Sequence, residues 1–440
     1  MTVTSQRLSA NHWPGLDAVP TGARARFSAR VAERLFRGAL ARLDVTVCLT
    51  RPDGTVETWG RGGPTMVVHR PEELFLRLGR DQLIGFGEAY LTGAWDAEDL
   101  GGFLTVLAAE MQTLVPESLQ KLRALVVKRP PRRMLSSKSN SQSNIAHHYD
   151  LSNDLFELFL DPTLSYSSAL FVESPPRAGG GAAPDPGAPT REDLEPAQAR
   201  KIERLLDQAG VGEGSRVLEI GSGWGELAVR AARRGATVRT ITLSVEQKAL
   251  AEARVAEAGY TDQVSVDLCD YRDVARAGET YDAVVSVEMI EAVGWQYWQT
   301  YFETIDSVLA PGGKVAIQAI TMPHDRMLAT RRTYTWIHKY IFPGGFLPSV
   351  RVIDDITCQH TALRMTDRLS MGQHYAQTLR LWDEAFLAAS QQVLRLGFDE
   401  TFLRMWHFYL EYSRAGFAAA YLDVNQLTFT KSGTTPGELR

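Results

Sequence analysis

Glu219-Ile220-Gly221-Ser222-Gly223-Trp224-Gly225 places an acid two residues ahead of three alternating glycines. Val217-Leu218 runs up to it and Leu227-Ala228-Val229 comes after, so the spacing predicts a buried parallel strand, a tight turn and an amphipathic helix. Glycines at such a turn let the backbone approach a ligand and take torsions that a side chain forbids. The dinucleotide fingerprint runs G-x-G-x-x-G, with its acid well downstream. Here the acid comes first, where a phosphate has no use for it. A carboxylate beside the turn suits a positively charged or hydroxyl-bearing ligand, and the motif favours S-adenosylmethionine over a dinucleotide. The plain alternative is a Gly-rich turn in an ordinary α/β core. A second acidic pair, Glu288 and Glu291, stands at helical spacing, so its two carboxylates can share one face.

Those residues need a scaffold, and 440 residues can supply two or three domains. Hydrophobic content of 44% and charged content of 22% are those of an ordinary globular protein. A net charge of -5 argues against a dedicated nucleic-acid binder. Cys48, Cys269 and Cys358 lie far apart, with neither zinc spacing nor a disulfide framework, which fits a reducing cytosol and no metal site. The N-terminus shows no signal-peptide pattern, and no apolar run approaches the ~20 residues needed to span a bilayer. Any membrane contact is expected to be peripheral.

Along the chain, residues 1–30 read as loosely structured, with helical periodicity from Ala29 through Val31, Leu35, Phe36 and Leu40. Residues 45–49 and 55–59 read as a hairpin around Asp53-Gly54, with a short strand at 65–68. Gly85 to Asp96 suggests a packed helix and turn, and 104–114 an apolar helix. Together these make a small α+β domain over about 1–125. Residues 126–144 form a linker within a basic run that carries Lys121, Arg123, Lys128, Arg129, Arg132, Arg133 and Lys138 with no acid among them. It is either a solvated connector or a patch against anionic headgroups. The main domain spans 145–430, with a Gly/Pro/Ala-rich loop at 174–190 expected to be disordered and a tail at 431–440. Within it a helix precedes strand 217–220, and helices then alternate with strands 237–241, 264–266, 281–286 and 315–317. That order implies an α/β fold with a doubly wound, mostly parallel sheet whose ligands gather at the strands' carboxyl ends.

The strand ends carry a specific set of motifs. Thr242-Leu243-Ser244-x-x-Gln247 lies one strand beyond the glycine turn, and then come Asp270-Tyr271-Arg272-Asp273 and Glu288-Met289-Ile290-Glu291-Ala292-Val293-Gly294. Tyr149-Asp150-Leu151-Ser152-Asn153-Asp154 lies before them and Lys339-Tyr340-Ile341-Phe342-Pro343-Gly344-Gly345 after. Taken together, over about 80–430, the chain resembles the cyclopropane-fatty-acid synthase and mycolic-acid methyltransferase family. The resemblance implies a class I, Rossmann-like methyltransferase core that uses S-adenosylmethionine. It sets Tyr166 and Ser167 near the methionine part, with Glu219, Gly221, Gly223 and Gly225 beneath it. Thr242, Leu243 and Gln247 border the ribose and adenine, and Asp270, Tyr271 and Arg272 the adenine. His148, with His147 beside it, is a further residue that could contact the methionine carboxylate.

The implied substrate is an unsaturated phospholipid with a cis double bond. An alkene is a weak nucleophile, and its attack on a methyl sulfonium leaves a carbocation, so the site must align the two and exclude water. Aromatic faces stabilise such charge. Candidates are Tyr166, Phe171, Tyr334, Trp336, Tyr340, Tyr375, Trp382, Trp406, Phe408 and Tyr409, most of which suit a hydrophobic core equally well. In the family, proton removal is linked to a bicarbonate held by a cysteine backbone, a glutamate, a histidine and a tyrosine. The glutamate matches Glu291 and the tyrosine Tyr375, but Ser168 stands at the cysteine position and Gln318 at the histidine position. With Glu288 these are the candidate catalytic residues. The departures put bicarbonate in doubt and shift the expectation towards a 10-methylene product, formed by hydride shift before proton loss, rather than a cyclopropane ring. The methylene branch occurs in actinobacteria, with a later reductase as partner. Relatives with the small N-terminal domain tend to be dimers, so a homodimer is expected by analogy, as is a cytoplasmic protein on the inner membrane face. A methyltransferase for a soluble small molecule and a non-catalytic binding protein remain the rival classes.

Overall fold

The computed structural model describes residues 13, 15–51, 53–110, 152–172 and 188–432. The expected linker at 126–144, His147 and His148, nearly all of the loop at 174–190 and the end of the 431–440 tail lie outside the described residues. The chain divides into two compact units. One takes the described residues of 1–128 with 334–339 and 386–419; the other takes those of 129–333, 340–385 and 420–440. The expected division near 125 differs from this, because two segments distant in sequence pack with the N-terminal one.

The first unit is built on a four-stranded sheet of order β2-β1-β3-β4. Strand β1 (Thr46–Thr50) pairs antiparallel with β2 (Val56–Gly60) and parallel with β3 (Thr65–Val68), which pairs antiparallel with β4 (Trp95–Ala97). The β1–β2 hairpin turns as expected, with the Asp53 carboxylate accepting from the Thr55 amide and Gly54 at φ +84°. The helix Ala23–Leu40 starts earlier than the apolar periodicity, because alanine and arginine sustain a helix without an apolar stripe. Helices Pro71–Asp81, Leu83–Leu91, Leu100–Ala109 and Glu400–Ala418 complete the unit. Trp95 is fully buried at its centre, stacked on Phe86 at 4.5 Å, edge-on to Tyr90, and donating from its indole N–H to the Phe86 carbonyl. Glu88, also fully buried, pairs with Lys339 and lies near Arg77.

The second unit holds a seven-stranded sheet of order β10-β11-β9-β8-β5-β6-β7. Its strands are β5 (Arg216–Ile220), β6 (Thr237–Thr242), β7 (Val264–Leu268), β8 (Tyr281–Val287), β9 (Leu309–Thr321), β10 (Leu363–Ser370) and β11 (Asp423–Lys431). Strands β5 to β9 pair in parallel, and β11 runs antiparallel to both its neighbours. The doubly wound, mostly parallel sheet is therefore as expected. The helices Leu194–Gln208 and Glu226–Arg233 cover one face and Trp298–Val308 and Val350–His360 the other, so β5 is buried from Val217 to Ile220. The chain winds outward from β5 through β6 to β7, then returns to β8 on the opposite side of β5. A crevice must open where that direction reverses, at the carboxyl ends of β5 and β8. Gly221 and Glu288 directly follow those ends. No helix among the described residues is long and apolar enough to cross a membrane.

Replacing Trp95 with Ala should destabilise the first unit by about 3–5 kcal/mol, the usual cost of emptying a large aromatic site. Urea unfolding of the full chain monitored by circular dichroism measures it.

Candidate active site

Gly221, Gly223 and Gly225 take φ of +95°, +48° and +92°, the left-handed region that favours glycine. Gly221 has a second reason: a Cβ there would lie 2.5 Å from the Met289 sulfur. The turn is pinned to the sheet by the Gly221 and Ser222 amides, both donating to the Ile241 carbonyl. The Trp224 indole donates to Asn153 at 2.9 Å, which ties the helix Asn153–Phe159 to the turn. Beneath it Glu219 is buried, and its Oε2 has no hydrogen-bond partner among the described residues. Burial pushes its carboxyl up to about 8, against the pull of Thr240 and Lys201.

The flanking strand ends are arranged as local networks. Thr242 donates to the Gln247 side-chain oxygen at 2.9 Å, and Ser244 caps the helix Val245–Glu257 through the Gln247 amide. Leu243 sits between them, half-buried. Asp270 is occupied by Arg272, accepting from its amide, Nε and Nη2. That guanidinium lies 5.3 Å over the Tyr271 ring, and burial lifts the Tyr271 phenol to about 12. Tyr166 stacks on Trp382 at 5.3 Å, with Phe156 at 5.2 Å. The Ser167 hydroxyl accepts from Lys201 at 2.7 Å.

Three of the expected catalytic residues converge on a fourth, Glu288. The Glu288 carboxylate accepts from the Ser168 amide at 2.9 Å and the Gln318 side-chain amide at 2.8 Å on Oε1. On Oε2 it accepts from the Tyr375 hydroxyl at 2.9 Å. The Glu288 amide donates to the Gln318 carbonyl at 2.7 Å, and its φ is +52°. These are the donors that the family resemblance assigns to bicarbonate. Here the chain's own carboxylate fills them, so the residues present do not fit a separate anion.

Glu291 lies close by, but not as expected. The spacing placed both acids on one helical face; instead Glu288 follows β8 in a left-handed conformation, and the helix begins only at Ile290. Glu291 accepts from the Ile320 amide, and its Oε2 has no partner among the described residues. Its own carbonyl accepts from the Phe346 amide. Burial first, and then repulsion from Glu288, push its carboxyl up to about 8. Burial also raises Glu288, but three donors and Lys201 favour its charged form. The donors therefore favour a negative charge on Glu288 over one on Glu291.

Of the aromatic candidates, Tyr166, Tyr375 and Trp382 cluster in this unit, with Tyr375 edge-on to Trp382 at 6.0 Å. Phe171 stacks on His374 at 6.3 Å. Trp336, Trp406, Phe408 and Tyr409 are buried in the other unit, which also holds Tyr334. Their packing is core packing. The main residue that sequence reasoning missed is Lys201, buried and brought down to about 8 by burial despite Glu288, Asp161 and Glu219. Its signal was a lysine on the apolar stripe Leu194, Ala197, Ile202 and Leu205.

The mycolic acid cyclopropane synthetase family model matches residues 136–427. A tuberculostearic acid methyltransferase of Mycobacterium tuberculosis, UfaA1, is 52% identical over 98% of this chain and 100% of its own length. A cyclopropane-fatty-acyl-phospholipid synthase of Escherichia coli is 31% identical over 82% of this chain and 86% of its own. Among solved structures, the mycolic acid cyclopropane synthase CmaA1, complexed with SAH and CTAB, aligns at a TM-score of 0.57. It is 30% identical and covers 66% of this chain and 98% of its own.

With Glu291 raised from 4.5 to about 8, the unfolded chain releases this proton near pH 4.5 and the folded chain near pH 8. Its contribution to stability is present at low pH and is lost as pH rises across that window. Glu291→Gln should therefore gain stability relative to the parent between pH 5 and 8. Urea midpoints at several pH values test this; a constant difference would mean that Glu291 titrates as an ordinary carboxyl.

Proposed function

The chain belongs to the mycolic acid cyclopropane synthetase family, and from that premise we propose that it methylates the cis double bond of an unsaturated phospholipid acyl chain to give a methylene branch. S-adenosylmethionine supplies the methyl group as a sulfonium when bound at the glycine turn. Tyr166 and Ser167 would border its methionine part, with Gly221, Gly223 and Gly225 under it, and Thr242, Leu243, Gln247, Tyr271 and Arg272 at the nucleoside end. Asp270, taken up by Arg272, would hold that guanidinium in place rather than touch the nucleoside.

The observation that carries the product is the Glu288 carboxylate in its donor cradle. The alkene forms a C–C bond to the methyl carbon, the C–S bond breaks and positive charge is left on the neighbouring acyl carbon. The ring and the methylene branch diverge from this common cation. Immediate proton loss from the delivered methyl closes a cyclopropane. A hydride shift from the methylated carbon first, then proton loss from the same methyl, leaves C=CH2. Glu288 is joined to the chain and cannot leave its cradle to follow the methyl, as a free bicarbonate can, so proton loss comes after the shift. Burial then keeps Glu288 basic enough to take the proton. Glu291, protonated, would hold the site's charge to a single negative centre, and Tyr166, Tyr375 and Trp382 would offer ring faces to the cation.

The relative whose name is that of a tuberculostearic acid methyltransferase favours a branched product, and the synthase from Escherichia coli favours the ring. A methylene branch is an alkene that a hydride-donating reductase would saturate, and such a partner, a membrane-bound substrate and a homodimer belong to this proposal.

Turnover of an oleoyl phospholipid with methyl-labelled S-adenosylmethionine, analysed by mass spectrometry and NMR, should give an exomethylene signal and no ring. A ring as the main product would overturn the methylene assignment. Glu288→Gln keeps the volume and removes the base, and should lower turnover by about 10²-fold or more. Glu288→Gly suits the left-handed backbone and empties the cradle. It should lose the methylene product and regain turnover on adding bicarbonate, with a cyclopropane as product.

A further inference from the structure

The helix Ala23–Leu40 carries two apolar faces, and only one has a partner among the described residues. On the packed face, Phe36 lies 5.7 Å from Phe75 and 6.3 Å from Phe86 between ring centroids, and Leu40 is buried. Gly79 lets the helix Pro71–Asp81 approach so closely that a Cβ there would lie 2.7 Å from the Ser28 carbonyl carbon. On the bare face, Phe27, Val31 and Leu35 recur every fourth residue and are 69%, 45% and 47% exposed. At about 100° per residue they fall in an arc of roughly 80°, whose centre is some 140° from Phe36. Single exposed apolar residues are ordinary, but an in-register stripe on one helix marks an interaction surface.

The charge around the stripe says what covers it. Arg24, Arg26, Arg30 and Arg34 are all exposed, and none of the four is in an ion pair among the described residues. The helix's remaining arginine, Arg37, is instead held by Glu33 and Glu57. Glu33 is the helix's one acid, so this surface is strongly basic in a chain whose net charge is -5. A second copy of the same face would bring arginines against arginines. A nucleic acid would complement the arginines and leave the apolar stripe in water. An anionic bilayer complements both, with headgroup phosphates at the guanidinium level and acyl chains below it.

We propose that this face docks the protein on an anionic phospholipid bilayer. The helix lies in the plane of the interface, with Phe27, Val31 and Leu35 at the acyl boundary and the four free arginines among the headgroups. The proposal rests on the lipid-substrate reading for its purpose, since a substrate held in a bilayer must be reached from its surface. It is tested without turnover.

The test is co-sedimentation of the full chain with vesicles of phosphatidylglycerol or of phosphatidylcholine, at low and at high salt. Binding to phosphatidylglycerol should be tighter by about tenfold or more and should weaken with salt. Two variants bear on it: Phe27→Ser/Val31→Ser/Leu35→Ser and Arg30→Glu/Arg34→Glu. Each should keep its circular dichroism melt and its turnover of detergent-dispersed substrate, and lose about tenfold or more in vesicle binding. Equal binding to the two lipids, or undiminished binding by the charge-reversed variant, would overturn the proposal. So would a dimer that the serine variant dissolves in light scattering while vesicle binding persists, which would make a second copy the occupant. Vesicle binding without lipid turnover would instead count against the enzymatic reading and leave the docking surface standing.

Discussion

A carboxylate out of bulk water must be met by donors, and the way Glu288 is met organises the second unit. Its three donors come from the segment after the helix Asn153–Phe159, from β9 and from the helix Gly372–Ala388. The same segment is fastened again by the Ala169 amide to Thr378 and the Phe171 amide to His374. Gln318 is held in turn by Gln426 on β11, whose side chain also donates to the Lys201 carbonyl. One anionic group at the end of β8 thereby fixes elements that are more than a hundred residues apart in sequence. Taking away the anion would strip an acceptor from three donors at once, and that is costlier than the loss of any one hydrogen bond.

The electrostatics have the same origin. Glu219, Glu288, Glu291 and Lys201 share a poorly solvated region. Lys201 is drawn down and the carboxyls are drawn up, each chiefly by burial. Identical chemical groups three residues apart are both raised by burial but meet different opposition, because one has three donors and the other a single backbone amide. That separation is what a site needs if it is to hold one base while tolerating a transient cation beside it. The aromatic neighbours contribute polarisable faces and exclude water without adding charge.

The first unit answers to a different constraint. Its interior is aromatic, with Trp95, Phe86, Tyr90, Phe103 and Phe408 in ring contact, and it buries Glu88 by pairing it with Lys339, Arg77 and Arg80. Its outward helix keeps a greasy, basic face bare. Under the two proposals the units would divide the physical demands of acting on a lipid, one supplying a dry reaction centre and the other a surface matched to a charged interface.

Much of this was legible in the residues alone. The acid–glycine turn, the alternation of strands with helices and the motifs at the strand ends identify the sheet, its ligand side and most of the candidate site. Those signals are local, each carried by a few neighbouring residues whose torsions or burial pattern admit one solution. Strands β10 and β11 were not legible. β10 carries Arg364, Asp367 and Arg368 along a sheet edge, and β11 hides behind buried Asn425 and Gln426, which bond across the sheet, and Thr428, which bonds Gln208 on a covering helix. Nor could spacing tell that Glu288 leaves the helix that Glu291 joins, that its carboxylate takes the donors a bound anion would use, or that Lys201 lies beside it. The sequence determined which residue types were available and which turns could form. Only the packing of distant segments decided which donor faces which carboxylate, because the cost of burying a charge is settled by neighbours that the chain brings together last.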